Sequence, residues 1–184
     1  MPLPTTEPNL HLPAEALAVV RNRFRQWPRP WTVLALGSHH ERDWPVPQWS
    51  EFLALLRRRT TGTVFLIGGP EQAAAAQELI KPGGRAPAVN ACDLRLIEAT
   101  ALLREADLFV GPDSGPMNLA AAVGIPAFGM FGASKVLTYS RFIHAIRPDD
   151  GRPATPDGMR RISPAAVMAR IEPYLGPEPL SRES

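Results

Sequence analysis

Short, continuously apolar runs alternate with longer amphipathic runs along most of the chain. The apolar runs are typical of strands that are buried on both faces of a parallel sheet. They predict strands at residues 31–37, 63–69, 87–92, 107–112, 126–132 and 142–148. The amphipathic runs predict helices at residues 13–27, 47–59, 71–80, 95–106, 116–123 and 163–175. This alternation predicts an α/β layered domain with a mainly parallel sheet of about six strands. Ligands of such sheets bind at the carboxyl ends of the strands, so a binding site is expected in the loops that follow strands.

Composition places the chain among globular proteins of ordinary domain size. It has 184 residues, of which 45% are hydrophobic and 21% charged. No apolar run approaches the roughly 20 residues that span a bilayer, and the N-terminus lacks the pattern of a signal peptide, so we expect a cytoplasmic location. The single cysteine, Cys92, excludes an internal disulfide and a multi-cysteine zinc site. It follows an apolar run and is interpreted as a core residue and not as a nucleophile.

The basic residues are nearly all arginines, and they are spread along the chain. Lys81 and Lys135 are the only lysines, and the net charge is +2. We interpret the arginines mainly as solvated helix faces, with a few reserved for anionic ligands. The chain has no basic tract with interleaved aromatic residues, which argues against a nucleic-acid partner.

The loop "GSHHERDWP" follows the first predicted strand. It matches neither the dinucleotide fingerprint nor the Walker loop. It offers small residues at the turn, Ser38 among them, and Arg42, whose guanidinium can bind a phosphate in bidentate fashion. His39 and His40 are adjacent and therefore point in different directions, and no third ligand is evident, so no metal site is predicted.

The loop "GGPEQ" follows the second predicted strand. Gly68 and Gly69 let the backbone approach a ligand closely. Glu71 at the start of the next helix has two interpretations that the residues leave open. It either complements the helix dipole or accepts hydrogen bonds from ribose hydroxyls.

The stretch "GPDSGPMNLAAAVGIPAFGMFG" joins the fourth predicted strand to a helix. The amides that follow Ser114 form a helix N-terminus suited to an anion. Gly115 lets a diphosphate approach, and Asn118 in the first turn can reach the same anion. The alternative is that Asp113 or Ser114 only caps the helix. We favour the phosphate site.

Together these segments resemble the C-terminal half of the ADP-heptose–lipopolysaccharide heptosyltransferases, glycosyltransferase family 9. The most specific segment is "ADLFVGPDSGPMNLAAAVGIPAFGMFG", which follows the family pattern Asp-(Ser/Thr)-Gly-x-x-His, an alanine-rich helix, G-x-P and a strand ending in FG. "LGSHHERDWPVPQWSEFLALL", "VFLIGGPEQ" and "ISPAAVMARI" match further family segments in the same order. The resemblance runs from about Trp31 to Leu175.

The resemblance implies one half of a GT-B architecture, which pairs two Rossmann-like domains across a cleft. Residues 31–184 would be a Rossmann-like three-layer αβα domain that binds a nucleotide sugar, ADP-heptose or similar. Residues 1–30 would be an N-terminal helix and a linker-like segment. The implied reaction is an inverting glycosyl transfer in lipopolysaccharide or surface-glycan synthesis, with no bound metal and no cofactor.

The resemblance also implies roles for individual residues. Asp113, Ser114 and Gly115 would line the diphosphate and sugar, Arg42 would stand at the family's phosphate-binding lysine, and Glu71 would bind the ribose. Ser38 completes the expected donor-binding set. Asn118 takes the place of the family histidine, and an amide can donate to phosphate but cannot be protonated.

No catalytic residue is expected on this chain, because the family's base lies on an N-terminal acceptor-binding domain. That domain would be a partner, in the same or another chain, and the acceptor would bring peripheral membrane association. We expect the chain alone to be a poor catalyst. The alternative is a non-catalytic nucleotide-binding or interaction module, or half of a split enzyme, which the Asn118 departure motivates.

Overall fold

A computed structural model describes residues 9–37, 42–137 and 139–176 of the chain. The strands are Trp31–Ala35 (β1), Thr63–Ile67 (β2), Ala88–Asn90 (β3), Leu108–Pro112 (β4), Ala127–Met130 (β5) and Ile143–Ile146 (β6). The helices are Ala14–Phe24 (α1), Val46–Arg59 (α2), Ala73–Ile80 (α3), Leu96–Glu105 (α4), Gly115–Ala122 (α5) and Pro164–Ile171 (α6). Every predicted element is therefore present, and most end a residue or two inside the predicted bounds.

The strands form one parallel sheet in the order β3-β2-β1-β4-β5-β6. Val33 of β1 pairs with Phe65 of β2 on one side and with Phe109 of β4 on the other. The direction of strand order reverses between β1 and β4, and the carboxyl ends of these two strands therefore open a crevice. This is the order of a doubly wound Rossmann-like sheet, which confirms the predicted three-layer αβα fold.

Alternate side chains of each strand enter two separate cores, one on each face of the sheet. Leu34, Leu66 and Phe128 pack in the first core with side chains of α2, α3 and α6. The second core contains Val33, Phe65 and Phe109 together with side chains of α1, α4 and α5. Burial on both faces explains why the strands read as unbroken apolar runs.

Helix α1 packs into the second core through Phe24. The Phe24 ring lies 4.8 Å from that of Phe65 and 6.3 Å from that of Trp31, both in edge-to-face geometry. Helix α1 therefore contributes to the same core as residues beyond position 30. A domain boundary at residue 30 stays a prediction.

One arginine departs from the predicted solvated faces. Arg57 of α2 is only 8% exposed, and its Nε and Nη1 atoms donate to the carbonyls of Ala86 and Pro82 at 2.7 and 2.5 Å. Burial lowers the pKa of this guanidinium. The prediction was wrong for Arg57 because a helix-end arginine can reach and satisfy the carbonyls of a neighbouring loop.

Cys92 is buried in the first core, where its Sγ lies 3.7 Å from the carbonyl oxygen of Leu66. Burial, with smaller contributions from Asp93 and Glu71, raises the pKa of the thiol to about 11. The thiol is therefore protonated at neutral pH, as expected of a core residue. No helix in the described part of the chain is both long and apolar enough to cross a bilayer.

Candidate functional site

The loops after β1 and β4 meet at the crevice where the strand order reverses. They bring Arg42, Asp113, Ser114, Gly115 and Asn118 to one cavity of about 420 Å³. All five residues were expected to belong to a donor site. Their convergence follows from topology, because β1 and β4 are neighbours in the sheet although they are far apart in sequence.

Asp113 holds the donors of this cavity in place. Its side chain is nearly buried, and its Oδ2 accepts hydrogen bonds from Arg42 Nη1 at 3.3 Å and from Ser134 Oγ at 2.7 Å. The Arg42 side chain itself is 42% exposed, so the guanidinium still faces the cavity. The carboxylate therefore positions a cation and a hydroxyl at the mouth of the cavity.

Among the described residues, the N-cap residue of α5 gives the helix no side-chain cap. Ser114 is the N-cap residue, but its Oγ donates to the Pro112 carbonyl at 3.0 Å and does not accept from the helix amides. The capping alternative is therefore wrong for Ser114, while the Asp113 carboxylate is engaged by Arg42 and Ser134. The first-turn amides, with the positive end of the helix dipole, suit an anion.

Asn118 lies one turn into α5 beside these amides. Its Oδ1 accepts a hydrogen bond from the hydroxyl of Tyr139. Burial, and to a smaller extent the charge of Asp113, raises the pKa of Tyr139, so this hydroxyl stays a donor. With its oxygen engaged in this way, the Asn118 amide directs its NH₂ group, a donor, to other acceptors.

A second cavity, of about 760 Å³, lies on the other side of the α5 N-terminus and shares Ser114 and Gly115 with the first. Glu71 lines it from the 3₁₀ turn Pro70–Gln72 that precedes α3. At the start of this turn the Gly69 amide donates a hydrogen bond to Gln72 Oε1 at 2.7 Å. The Glu71 carboxylate is exposed and faces the cavity.

The far wall of the second cavity is apolar. It is formed by the end of β2, the segment after β3 and the start of α4: Ile67, Ala91, Leu94, Leu96 and Ala99. Leu96 is 72% exposed, although a leucine is usually buried. The cavity therefore combines an apolar wall with a polar rim that includes the carboxylates of Glu71 and Asp93.

Sequence reasoning missed the contribution of the loop after β5. Ser134, Lys135 and Leu137 line the first cavity. Two signals could have indicated this loop. It follows a strand at the carboxyl edge of the sheet, and it contains one of the two lysines.

Ser38, His39 and His40 lie outside the described residues. Within the described part of the chain, no group of three or more His, Cys, Asp or Glu side chains is placed to hold a metal ion.

The fold and the cavities define a Rossmann-like α/β domain with two joined clefts at the carboxyl edge of its sheet. Residues 1–144 match glycosyltransferase family 9 (heptosyltransferase). The chain belongs to this family. It is also 32% identical over 93 residues to lipopolysaccharide heptosyltransferase 3 of Escherichia coli, a match that covers 50% of this chain and 27% of that protein.

Solved structures of the family share the fold. The E. coli ADP-heptose lipopolysaccharide heptosyltransferase II superimposes with a TM-score of 0.78 and 24% identity over 95% of this chain and 55% of that chain. The E. coli heptosyltransferase WaaC with ADP-2-deoxy-2-fluoro heptose gives a TM-score of 0.66 and 19% identity over 85% of this chain and 48% of that chain. The chain thus spans about half the length of these solved relatives.

Proposed function

We propose that this chain binds the nucleotide-sugar donor of an inverting glycosyl transfer. The observation that carries the proposal is the position of the α5 N-terminus, where Ser114 and Gly115 line both cavities. A nucleoside diphosphate sugar has a polyanionic centre with a different group on each side. The uncapped helix start suits the diphosphate, and the two cavities suit the groups at its ends.

The first cavity offers donors for the diphosphate and room for the sugar. Arg42 and Lys135 supply positive charge, and the Asn118 amide supplies a neutral donor. Asp113 is assigned the positioning of Arg42 and Ser134, because a carboxylate in direct contact with phosphate would be repelled. This refines its expected role in lining the diphosphate and sugar.

The second cavity suits the nucleoside. Its apolar wall offers a base a surface for contact, and Glu71 at the rim is able to accept hydrogen bonds from ribose hydroxyls. Gly37, Gly68 and Gly69 line the same cavity. WaaC, a relative of known structure, is bound to an ADP-linked heptose analogue, which supports ADP-heptose or a similar ADP-sugar as the donor.

In the reaction that we propose, the sugar leaves the diphosphate with inversion at its anomeric carbon. Negative charge develops on the departing diphosphate, where Arg42, Lys135 and the α5 amides would stabilise it. The acceptor hydroxyl and the base that deprotonates it would come from an acceptor-binding domain. The acceptor is a sugar of the lipopolysaccharide core or of another surface glycan, and the cytoplasmic location expected from the sequence belongs to the same proposal.

Calorimetric titration of the chain with ADP tests this function. Arg42→Gln removes the guanidinium and should weaken ADP binding about tenfold or more, the size expected for a charged hydrogen bond of about 1.5–3 kcal/mol. Arg58→Gln is a matched control, because this exposed arginine lies in the last turn of α2, next to the amino edge of the sheet. Equal ADP affinity in wild type and Arg42→Gln would overturn the phosphate placement, and absence of ADP binding by the wild type would overturn the function.

A further inference from the structure

A third cavity, of about 1040 Å³, adjoins the first at the carboxyl ends of β5 and β6. The loop after β5, strand β6, residues 147–154 and Arg170 of α6 form its walls. It shares Ser134 and Lys135 with the first cavity. A ligand here would lie beside the group held next to the α5 N-terminus.

The walls of this cavity carry an excess of positive charge. Among the described residues, its lining contains four basic side chains, Lys135, Arg147, Arg152 and Arg170, and one carboxylate, that of Asp149. The imidazole of His144 adds no cation at neutral pH, because burial and the nearby Arg170 lower its pKa.

Only part of this charge is balanced inside the protein. The Asp150 carboxylate accepts from Arg161 at 2.6 and 2.8 Å and from Arg152 at 2.9 Å. Arg170 Nη2 donates to the Ala145 carbonyl at 3.2 Å, which fixes its side chain at the cavity wall. Within the described part of the chain, Lys135 and Arg147 make no hydrogen bond or ion pair.

Like charges around a concave surface repel one another and concentrate a positive potential inside it. An anionic group in the cavity would relieve this repulsion, and guanidinium groups bind phosphate and carboxylate well. The volume of about 1040 Å³ lies at the upper limit of small-molecule sites, which is of order 1,000 Å³. A saccharide with one or two acidic groups fits both the size and the charge.

We propose that this cavity is a second anion subsite, which binds a phosphate or carboxylate group of a saccharide beside the transferred sugar. The proposal rests on the proposed function only in naming that neighbour. The acidic group has two sources, the acceptor or the donor sugar itself, and both present the same chemistry to Arg147.

The test is a titration of the full chain with glucose 6-phosphate that is monitored by NMR. The salt concentration is 0.15 M, so that general charge attraction is screened. We expect saturable binding that persists with saturating ADP, because ADP has no group to fill this cavity. Arg147→Gln should weaken it about tenfold, equivalent to one hydrogen bond to a charged group. Arg25→Gln, an equal charge change at the exposed end of α1, should leave it unaltered, and neutral glucose should not bind.

Saturating ADP-glucose distinguishes the two sources. Continued binding of glucose 6-phosphate assigns the subsite to the acceptor, whereas displacement by ADP-glucose and not by ADP assigns it to the donor sugar. Three results would overturn the subsite. They are displacement of glucose 6-phosphate by ADP, equally weakened glucose 6-phosphate binding in Arg147→Gln and Arg25→Gln, and no binding of glucose 6-phosphate at all. ADP affinity is measured on the same samples, so loss of the subsite with intact ADP binding leaves the proposed function standing.

Discussion

Gly115 lies at the start of α5, where the fold leaves open space beside its Cα atom. A Cβ built on it meets no heavy atom within 4 Å, so the protein itself does not require glycine there. The residue nevertheless lines both the first and the second cavity. The open space beside it is the space that the proposal assigns to the diphosphate.

Gly115→Ala should therefore separate binding from stability. The methyl group would enter ligand space and weaken ADP binding about tenfold or more, as overpacking of about 1–3 kcal/mol predicts. The free energy of unfolding should stay equal or rise by about 0.4–1 kcal/mol, because alanine restricts the unfolded chain. Calorimetry and urea denaturation measure the two quantities. Gly83→Ala, also without a neighbour within 4 Å, is the control, and equal ADP affinity in both variants would contradict the assignment.

At the scale of elements, one carboxylate organises the segment that follows β6. Asp150 binds Arg161 of the 3₁₀ turn Gly158–Arg161 and also binds Arg152. Arg161 in turn donates to the Pro153 carbonyl at 2.7 Å. This network holds the wall of the third cavity without regular secondary structure.

The network gives the segment a predictable response to pH. The Arg161 side chain, helped by Arg152, lowers the pKa of Asp150 from 3.8 to about 2. A depressed folded-state pKa contributes stability above the unfolded value, and this contribution is lost as pH falls through 3.8 toward 2. Asp150→Asn should therefore lower Tm at pH 6, and the difference from wild type should shrink by pH 3. Thermal denaturation across this range measures it, and a Tm difference that is constant with pH would exclude the charge network as its cause.

At the scale of the molecule, one hydrophobic core packs on each face of the sheet, and α1 belongs to the second core. Phe24 is 2% exposed and contacts two aromatic rings of the neighbouring strands. Arg21 of the same helix pairs with Glu105 of α4 at 2.8 Å, but the arginine side chain is 60% exposed, so the pair adds little stability. Helix α1 is therefore held mainly by buried apolar surface.

Phe24→Ala should cost about 3–5 kcal/mol of unfolding free energy, the usual range for a buried phenylalanine. Arg25→Ala, at the exposed next position, should change it by less than about 0.5 kcal/mol. Urea denaturation compares the two variants in one cooperative transition. A loss below about 1 kcal/mol for Phe24→Ala would show that α1 is peripheral to the fold.

The sequence predicted the strands and helices because both leave a local pattern. Strands buried on both faces are continuous apolar runs, and helices are amphipathic runs. It also located Arg42 and Asp113, since both follow strands. It could not pair β1 with β4, a contact between distant segments, and so could not show that Asp113 holds Arg42. The sequence did not indicate Lys135 and Arg147 as site residues for the same reason, because only the sheet brings the ends of β5 and β6 beside the first cavity.

The most direct test of donor binding is an NMR titration of the labelled chain with ADP that follows each backbone amide. We expect saturable shifts at Gly115, Met117 and Asn118 on one side of the site and at Gly69 and Glu71 on the other. Shifts on both sides with one shared affinity would show that a single nucleotide bridges the two cavities. Shifts confined to other surfaces, or no shifts at millimolar ADP, would contradict nucleotide binding at these cavities.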